Sequence, residues 1–461
     1  MGNRGYISVF LALILSILLG LVVAIYTAVD LSCARGRSAT AMRSAMSGVR
    51  AEYDRYLFEQ YHVLFLNQNM DGEGTGGLEE RVQERLGDNL GDEYEVDDVY
   101  LDGVTGVTDS NCKAFRSQVK DASIYLAADK GVDILKAKVN GNDRPVTEEE
   151  MNSLDMTRDE KPEKRKKEKD PRNYTKAVNR VGVAYWILPE DAEFSDMEVD
   201  ATKLPSQGKS GKKELAVDAK FNSITRLKSE AAQTGGWLES AEEEGAGLIY
   251  AANCFNCLTD QVQEDTALNL EIEYLIAGKS TDAENYKSVV NQIMAIRTAC
   301  NFAYILTDQS KMTRLSALAW ALTWYFPPAQ PVVKYLLAGA WSYIEAVADA
   351  YRLVRGKKVP YLKRKDNWLT DLDSLSRLDE LPEGDEDENG LDYEDYLLIL
   401  LAPRMNTAYY RMLDIMQLNV NQNVGSDAGY FDLRDAVTAL EMTAEITYEG
   451  HLLRVKEQIG Y

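Results

Sequence analysis

The stretch R-G-Y-I-S-V-F-L-A-L-I-L-S-I-L-L-G-L-V-V-A-I-Y-T-A-V-D, residues 4–30, carries no charge from Tyr6 to Val29. As a helix, those 24 residues span roughly 36 Å at 1.5 Å per residue. That exceeds the roughly 30 Å hydrocarbon core of a bilayer. A signal-peptide apolar region runs only about 7–15 residues before a small-residue cleavage site. Val22-Val23-Ala24 resembles such a site but lies inside the run. A lipoprotein reading at Cys33 fails because Asp30 stands where an aliphatic residue belongs. We therefore read residues 1–29 as a retained transmembrane anchor, in contact with lipid through residues 6–29.

Beyond the run, Leu31, Ala34, Ala41, Met42, Ala45, Met46, Val49, Tyr53, Leu57 and Leu64 recur at spacings dominated by three and four. That period marks an amphipathic helix. No proline interrupts the chain from Tyr6 to Leu66. The pattern predicts one continuous helix over that range, its second part, residues 30–66, laying an apolar stripe on a globular head. Arg35, Arg37, Arg43 and Arg50 follow the span and only Arg4 precedes it, so a charge count alone would keep the head inside. Long domains translocate largely regardless of charge, and we expect the head outside the membrane.

The remainder divides by composition. Residues 67–155 hold a glycine-rich turn, a strand-like stretch at 93–108 and a helix-like one at 115–139. Residues 156–213 form a charged linker, M-T-R-D-E-K-P-E-K-R-K-K-E-K-D-P-R at its start, interrupted by the apolar patch V-G-V-A-Y-W-I-L-P, read as a strand. Residues 214–461 form a helix-rich main domain. Within it L-N-L-E-I-E-Y-L-I-A-G alternates like a half-buried strand. Helical patterns follow at 281–307, 311–325, 331–354 and 393–418, and A-L-E-M-T-A-E-I-T-Y-E-G alternates as a closing strand. The 331–354 segment is apolar enough to raise a second span, but Lys334 and Glu345 interrupt it and mark it as a core helix. The fold class is α+β and helix-dominated: one transmembrane helix running into a long amphipathic helix, with a mixed head of few short strands.

Charge excludes some functions. The 461 residues carry a net charge of −23, and the sequence pI is near 4.7. Nucleic-acid binding requires a basic face, so no nucleic-acid partner is expected. With only His62 and His451, placed far apart, a histidine-based triad or zinc site is not supported. Gly278-Lys279-Ser280 lacks the upstream glycine of a phosphate loop, Glu273 standing in its place. Cys254 and Cys257 form the one close thiol pair, either a local disulfide or two buried thiols. Asp385, Asp387, Asn389 and Gly390 match the first positions of a calcium loop, but Tyr396 replaces its last ligand, so an acidic turn before the 393 helix is the competing reading. No catalytic, cofactor-binding or metal-binding residue is assigned, and no cofactor.

The chain resembles a family of uncharacterised membrane proteins of Gram-positive bacteria. The resemblance rests on G-Y-I-S-V-F-L-A-L-I-L, on A-E-Y-D-R-Y-L-F-E-Q-Y-H-V-L-F-L and on L-E-I-E-Y-L-I-A-G-K-S-T-D-A-E-N-Y. It extends to G-K-K-V-P-Y-L-K-R-K-D-N-W and L-D-Y-E-D-Y-L-L-I-L-L. That family is encoded beside tight-adherence (Flp-type) pilus genes and is similar to the TadE/TadG pseudopilins. The leader M-G-N-R-G also resembles a prepilin leader, although Phe10 stands where prepilins carry Glu if Gly5 marks the cut. The resemblance implies a structural or assembly role, with other pilus or pseudopilin subunits as partners and no enzyme activity. A membrane-tethered enzyme or a ligand-binding sensor is the alternative; convergent carboxylates of perturbed pKa in a cleft would mark the first, and a large apolar pocket the second.

Overall fold

The structure, a computed structural model, describes residues 3–67, 75–126, 182–207, 236–372, 387, 390–423 and 431–461. It is helix-dominated, with one small antiparallel sheet. The chain divides into two compact units, Met1–Phe115 with Asp432–Tyr461, and Arg116–Phe431.

The first unit is built on helix α1, Asn3–Arg50, which passes through Asp30 without a break. Its early residues have no protein cover: Val9 to Val29 present their apolar side chains outward. This segment is long and apolar enough to cross a membrane, a test that a signal sequence also passes. From Ala34 the same helix buries one face, with Met42, Ala45, Met46 and Val49 at 2% exposure or less. That face packs on helix α3, Thr75–Asn89, through Leu78, Val82 and Leu86, and on the sheet. The anticipated stripe is thus buried through Val49; of its later members Leu57 is also buried, and Tyr53 and Leu64 are half-buried.

The expected run to Leu66 ends early. A turn at Ala51–Glu52 breaks the helix, and Asp54, in extended conformation, caps a separate helix α2, Arg55–Tyr61, by accepting from Leu57 N at 2.8 Å. An aspartate cap offers the chain a better local bond than continued helix does. His62 closes α2 in the left-handed region, φ 54°.

The sheet centres on β3, Ala436–Tyr448. It pairs antiparallel with β2, Tyr94–Gly106, and with β4, His451–Gly460, and at its first residues with the two-residue β1, Leu66–Asn67. Its Leu440, Met442, Ala444 and Ile446 face α1, which is the expected alternation. On the opposite face the Thr443 and Thr447 hydroxyls donate to Asp102 and Asp97 of β2. The β3–β4 turn, Glu449-Gly450, has positive φ at both residues, the geometry that matches strand twist in a two-residue hairpin. The sheet therefore joins residues 94–106 to the last residues of the chain, which read from sequence as part of the 214–461 body.

The second unit is helical among its described residues. Helix α4, Asp109–Leu126, bridges the boundary between the units in sequence. The patch read as a strand at 181–189 holds a single helical turn, α5, Val183–Trp186. Helix α6, Gly236–Cys254, leads to α7, Glu271–Ala277. There the expected strand is wrong: Glu271 to Ile276 are all buried, so the apolar–acidic alternation does not separate core from solvent. Gly278, φ +60°, ends α7 in the left-handed conformation, and Arg411 donates to the carbonyls of Leu275 and Ile276 at its end.

Helices α8, Asp282–Thr307, α9, Gln309–Thr323, and α10, Gln330–Leu353, fall where the periodicity placed them. The predicted helix over 393–418 is interrupted. Helix α11, Tyr393–Leu401, gives way to a 3-10 turn carrying Pro403, and α12, Met405–Asn423, resumes. Proline lacks the donor an unbroken helix needs there. Most of the charged linker, including Lys164–Lys167, lies outside the described residues.

Candidate functional site

Two buried polar clusters and one cleft stand out in the second unit. The first cluster surrounds α7. Asn256, just past α6, satisfies its whole side chain on one loop: its Oδ1 accepts from Val262 N and Gln263 N, and its Nδ2 donates to Gln263 O and Thr266 Oγ1. The loop is tied down by carboxylates from below. Glu271 accepts from Asn256 N at 2.8 Å and from Asn419 Nδ2 at 2.7 Å. Glu273 accepts from Leu258 N at 3.1 Å. Asp282 accepts from Ser195 N and Oγ and from Asn269 N and Leu270 N. All three carboxyls are fully buried.

Burial pushes the Glu271 carboxyl up to about 8 and the Glu273 carboxyl to about 7; donated hydrogen bonds oppose this, and neighbouring acids add to it. Glu273 Oε2 and the Tyr393 hydroxyl are both buried outside hydrogen-bond geometry, although Tyr393 is close enough to influence the titration of Glu273. A proton on Oε2 leaves Oε1 free to keep accepting from Leu258 N. Through these accepted hydrogen bonds the two glutamates brace the 256–282 segment.

Above the loop lies a cleft of about 670 Å³, lined by Asp191, Glu193, Glu264, Asp265, Gln261 and Asn269 among others. Its walls are polar and acidic, and among the described residues no cationic side chain lines it. The three buried carboxylates do not line it.

The second cluster is a fully buried ion network between α8, α10 and the 361–370 segment. Arg297 donates to Asp349 Oδ2 from Nε at 3.0 Å and from Nη2 at 2.8 Å, and to Tyr361 O and Tyr396 Oη from Nη1. Lys363 Nζ pairs with Asp349 Oδ1 at 2.7 Å and donates to Glu345 Oε1 at 2.6 Å. Glu345 also accepts from Leu369 N, Thr370 N and Thr370 Oγ1. Two cations meet two carboxylates, so the cluster is neutral. Burial alone would raise the Asp349 carboxyl, but Arg297 and Lys363 hold it below the ordinary carboxylate range. It is a lock on the helix packing.

The residues singled out from sequence are dispersed. Cys254 and Cys257 are buried free thiols, not a disulfide. Burial pushes Cys254 up to about 12 and Cys257 higher still, the carboxylates of Glu271 and Glu273 adding to it, so neither thiol is an activated nucleophile. His62 closes α2 and His451 opens β4. Gly278 caps α7 while Thr281 caps α8, so Gly278-Lys279-Ser280 is a junction between helices.

Of the calcium-loop candidate, Asp385 and Asn389 lie outside the described residues. Asp387 and Gly390 are described, and Gly390 has a structural reason of its own. Val359 and Leu391 exchange backbone hydrogen bonds, and a Cβ on Gly390 would sit 2.8 Å from Val359 backbone atoms. Asp392 and Asp395 form a capping box at the start of α11. Tyr396, at the would-be last ligand position, is buried beside Arg297. The buried glutamates and the ion network escaped sequence reading, since a charge in an amphipathic pattern is read as solvent-facing.

Residues 161–448 match the model of DUF5702, a family of unknown function. The chain belongs to that family. The match takes in the α7 cluster, the ion network and β3. No curated protein and no solved structure matches the chain. Nothing in these clusters, nor in membership of DUF5702, indicates enzymatic activity.

Proposed function

We propose that this DUF5702 protein is a membrane-anchored, pseudopilin-like structural or assembly component of a tight-adherence type pilus or a related cell-surface system. The observation that carries this reading is α1. One unbroken helix is uncharged from Tyr6 to Val29, bare from Val9 to Val29, and packed under an antiparallel sheet beyond it. Pilin-like subunits use a single helix in both ways, as a membrane stem and as the spine of a head. Tyr448 Oη donates to Asp30 Oδ2 at 3.0 Å, so the first carboxylate after the apolar run is also where packing on the sheet begins. The proposed location is the cell membrane, crossed once, with the head on the outside.

The test is protease shaving of intact cells with the C-terminus tagged, combined with mass spectrometry of the membrane-extracted chain. The reading expects a head cleaved on intact cells and a membrane-retained N-terminal fragment carrying residues 6–29. A head resistant until lysis would overturn the topology and the pilus-side role. A mature N-terminus near Ile25, found in the medium, would overturn the anchor.

A further inference from the structure

The turn between α9 and α10 carries the largest concentration of exposed aromatic side chains among the described residues. Trp320, Trp324, Tyr325, Phe326, Val332 and Leu336 are each between 56% and 74% exposed. Late in α9, exposed positions 317, 320 and 321 and the C-cap 324 follow the helical i, i+3, i+4, i+7 spacing, and on α10 positions 332, 335 and 336 continue it. Both stripes run into the turn, so the apolar surface covers the closed end of a helical hairpin. The opposite faces are accounted for: Leu315, Ala319, Leu337, Ala338 and Trp341 form a core with Ile305.

We infer that this α9–α10 tip is a second, interfacial membrane contact, dipping Trp320, Trp324, Tyr325 and Phe326 into the headgroup boundary of a lipid bilayer. Charge supports lipid as the occupant. The chain carries 74 acidic residues, yet none lies between Leu315 and Ile344, where Lys334 is the single charge. A lysine flanking an apolar tip extends its ammonium toward headgroups while its stem stays among apolar groups. Tryptophan and tyrosine are the residues that membrane–water interfaces favour.

The backbone is compatible with it. A turn at the headgroup boundary loses part of its water, so donors satisfied within the turn ease its entry. Here Phe326 N donates to Thr323 O, Ala329 N to Phe326 O and Gln330 N to Pro327 O, while Pro327, Pro328 and Pro331 have no N–H at all. The tip is too short to span, and α10 turns inward to the buried Glu345 and Asp349, so insertion is interfacial. This inference rests on reading α1 as a membrane helix, which brings the chain to lipid.

Full-length chain is reconstituted in phosphatidylcholine vesicles with and without brominated acyl chains, and tryptophan emission is recorded. Residues 3–50, the span of α1, contain no tryptophan, so quenching reports on the rest of the chain. Insertion predicts that bromine removes roughly a third of the emission, two tryptophans of the six, as expected for interfacial indoles. Most of the bromine-sensitive part should vanish in W320F/W324F, where exposed rings are kept and the core is untouched. Val332→Glu should weaken quenching in the otherwise native chain. Equal quenching of W320F/W324F and wild type would overturn the inference. So would an unquenched wild type, with acrylamide protection then marking a protein partner or a second copy on the tip, and acrylamide access marking a bare one. Flotation of the same vesicles separates the two readings. Chain that fails to float removes the anchor as well, whereas floating but unquenched chain removes only the tip.

Discussion

Asp349→Asn should be among the most damaging isosteric changes available in the second unit. Both carboxylate oxygens face cations: Oδ2 receives two N–H groups of Arg297, and Oδ1 sits 2.7 Å from Lys363 Nζ. An amide has one acceptor oxygen and one donor nitrogen. Whichever way the substituted amide is turned, its NH2 meets a guanidinium or an ammonium. The neutral cluster also becomes a net buried positive charge at positions with no exposed surface. Removing one partner of a buried ion pair costs about 3–5 kcal/mol, because the other is left uncompensated. At roughly 2–4 °C per kcal/mol for a domain of a few hundred residues, melting should fall by about 6–20 °C. Thermal unfolding of the full chain in detergent, followed by tryptophan emission, reads this directly, since Trp341 donates to Thr370, a partner of Glu345. The loss should persist in molar salt, which screens exposed pairs far more than buried ones. Replacing Arg297, Asp349, Lys363 and Glu345 together by apolar residues of similar volume should cost far less than the single change. A single-variant loss under about 1 kcal/mol, the range of an exposed pair, would refute the reasoning by showing that water reaches the cluster.

Raised folded-state carboxyls bind protons that the unfolded chain has released, so Glu271 and Glu273 should make stability fall as pH rises from about 5 to about 8. The slope is at most about 1.4 kcal/mol per pH unit for each group. Glu271→Gln/Glu273→Gln should flatten the melting-temperature profile across that window. Alkylation of native chain at pH 8 should modify Cys33 quickly, while Cys254 and Cys257 react only on unfolding; mass spectrometry counts the adducts. Gly390→Ala should loosen the Val359–Leu391 bridge by about 1–3 kcal/mol through backbone overlap, read as a lower melting temperature and faster amide exchange at Val359.

Apolar periodicity was legible wherever burial and polarity agree. Helices α8, α9 and α10 lie within two residues of their expected ends, because their core faces are apolar and Thr281 and Asp308 are plain N-caps. β3 was legible for the same reason. The reading failed at α7, where Glu271 and Glu273 are buried and hydrogen-bonded inside the core and imitate the solvent face of a strand. It also failed at the ends of helices, where Asp54 and Pro403 stop the pattern locally while the apolar spacing continues past them. The pairing of residues 94–106 with 436–448 joins segments more than three hundred residues apart, and no local signal encodes it.

The same mismatch between charge and exposure explains why the candidate sites were hidden. Arg297, Asp349, Lys363 and Glu345 look like the polar positions of amphipathic helices and a charged loop, yet their side chains are fully buried. Conversely, Trp320, Trp324 and Tyr325 look like core residues and face outward. Each inversion has a cost: several kcal/mol of desolvation for the ions, and unprotected apolar area for the aromatics. The ions recover theirs within the unit, through hydrogen bonds to Glu345 and Asp349 Oδ2 and the ion pair of Lys363 with Asp349 Oδ1. Among the described residues the aromatics have no such cover, and the lipid contact inferred above would supply it. The uncharged half of α1 is in the same position, with apolar side chains bare from Val9 to Val29. Under the proposed reading, lipid covers the apolar surface at both the stem and the helical tip, while the paired charges stay inside the second unit.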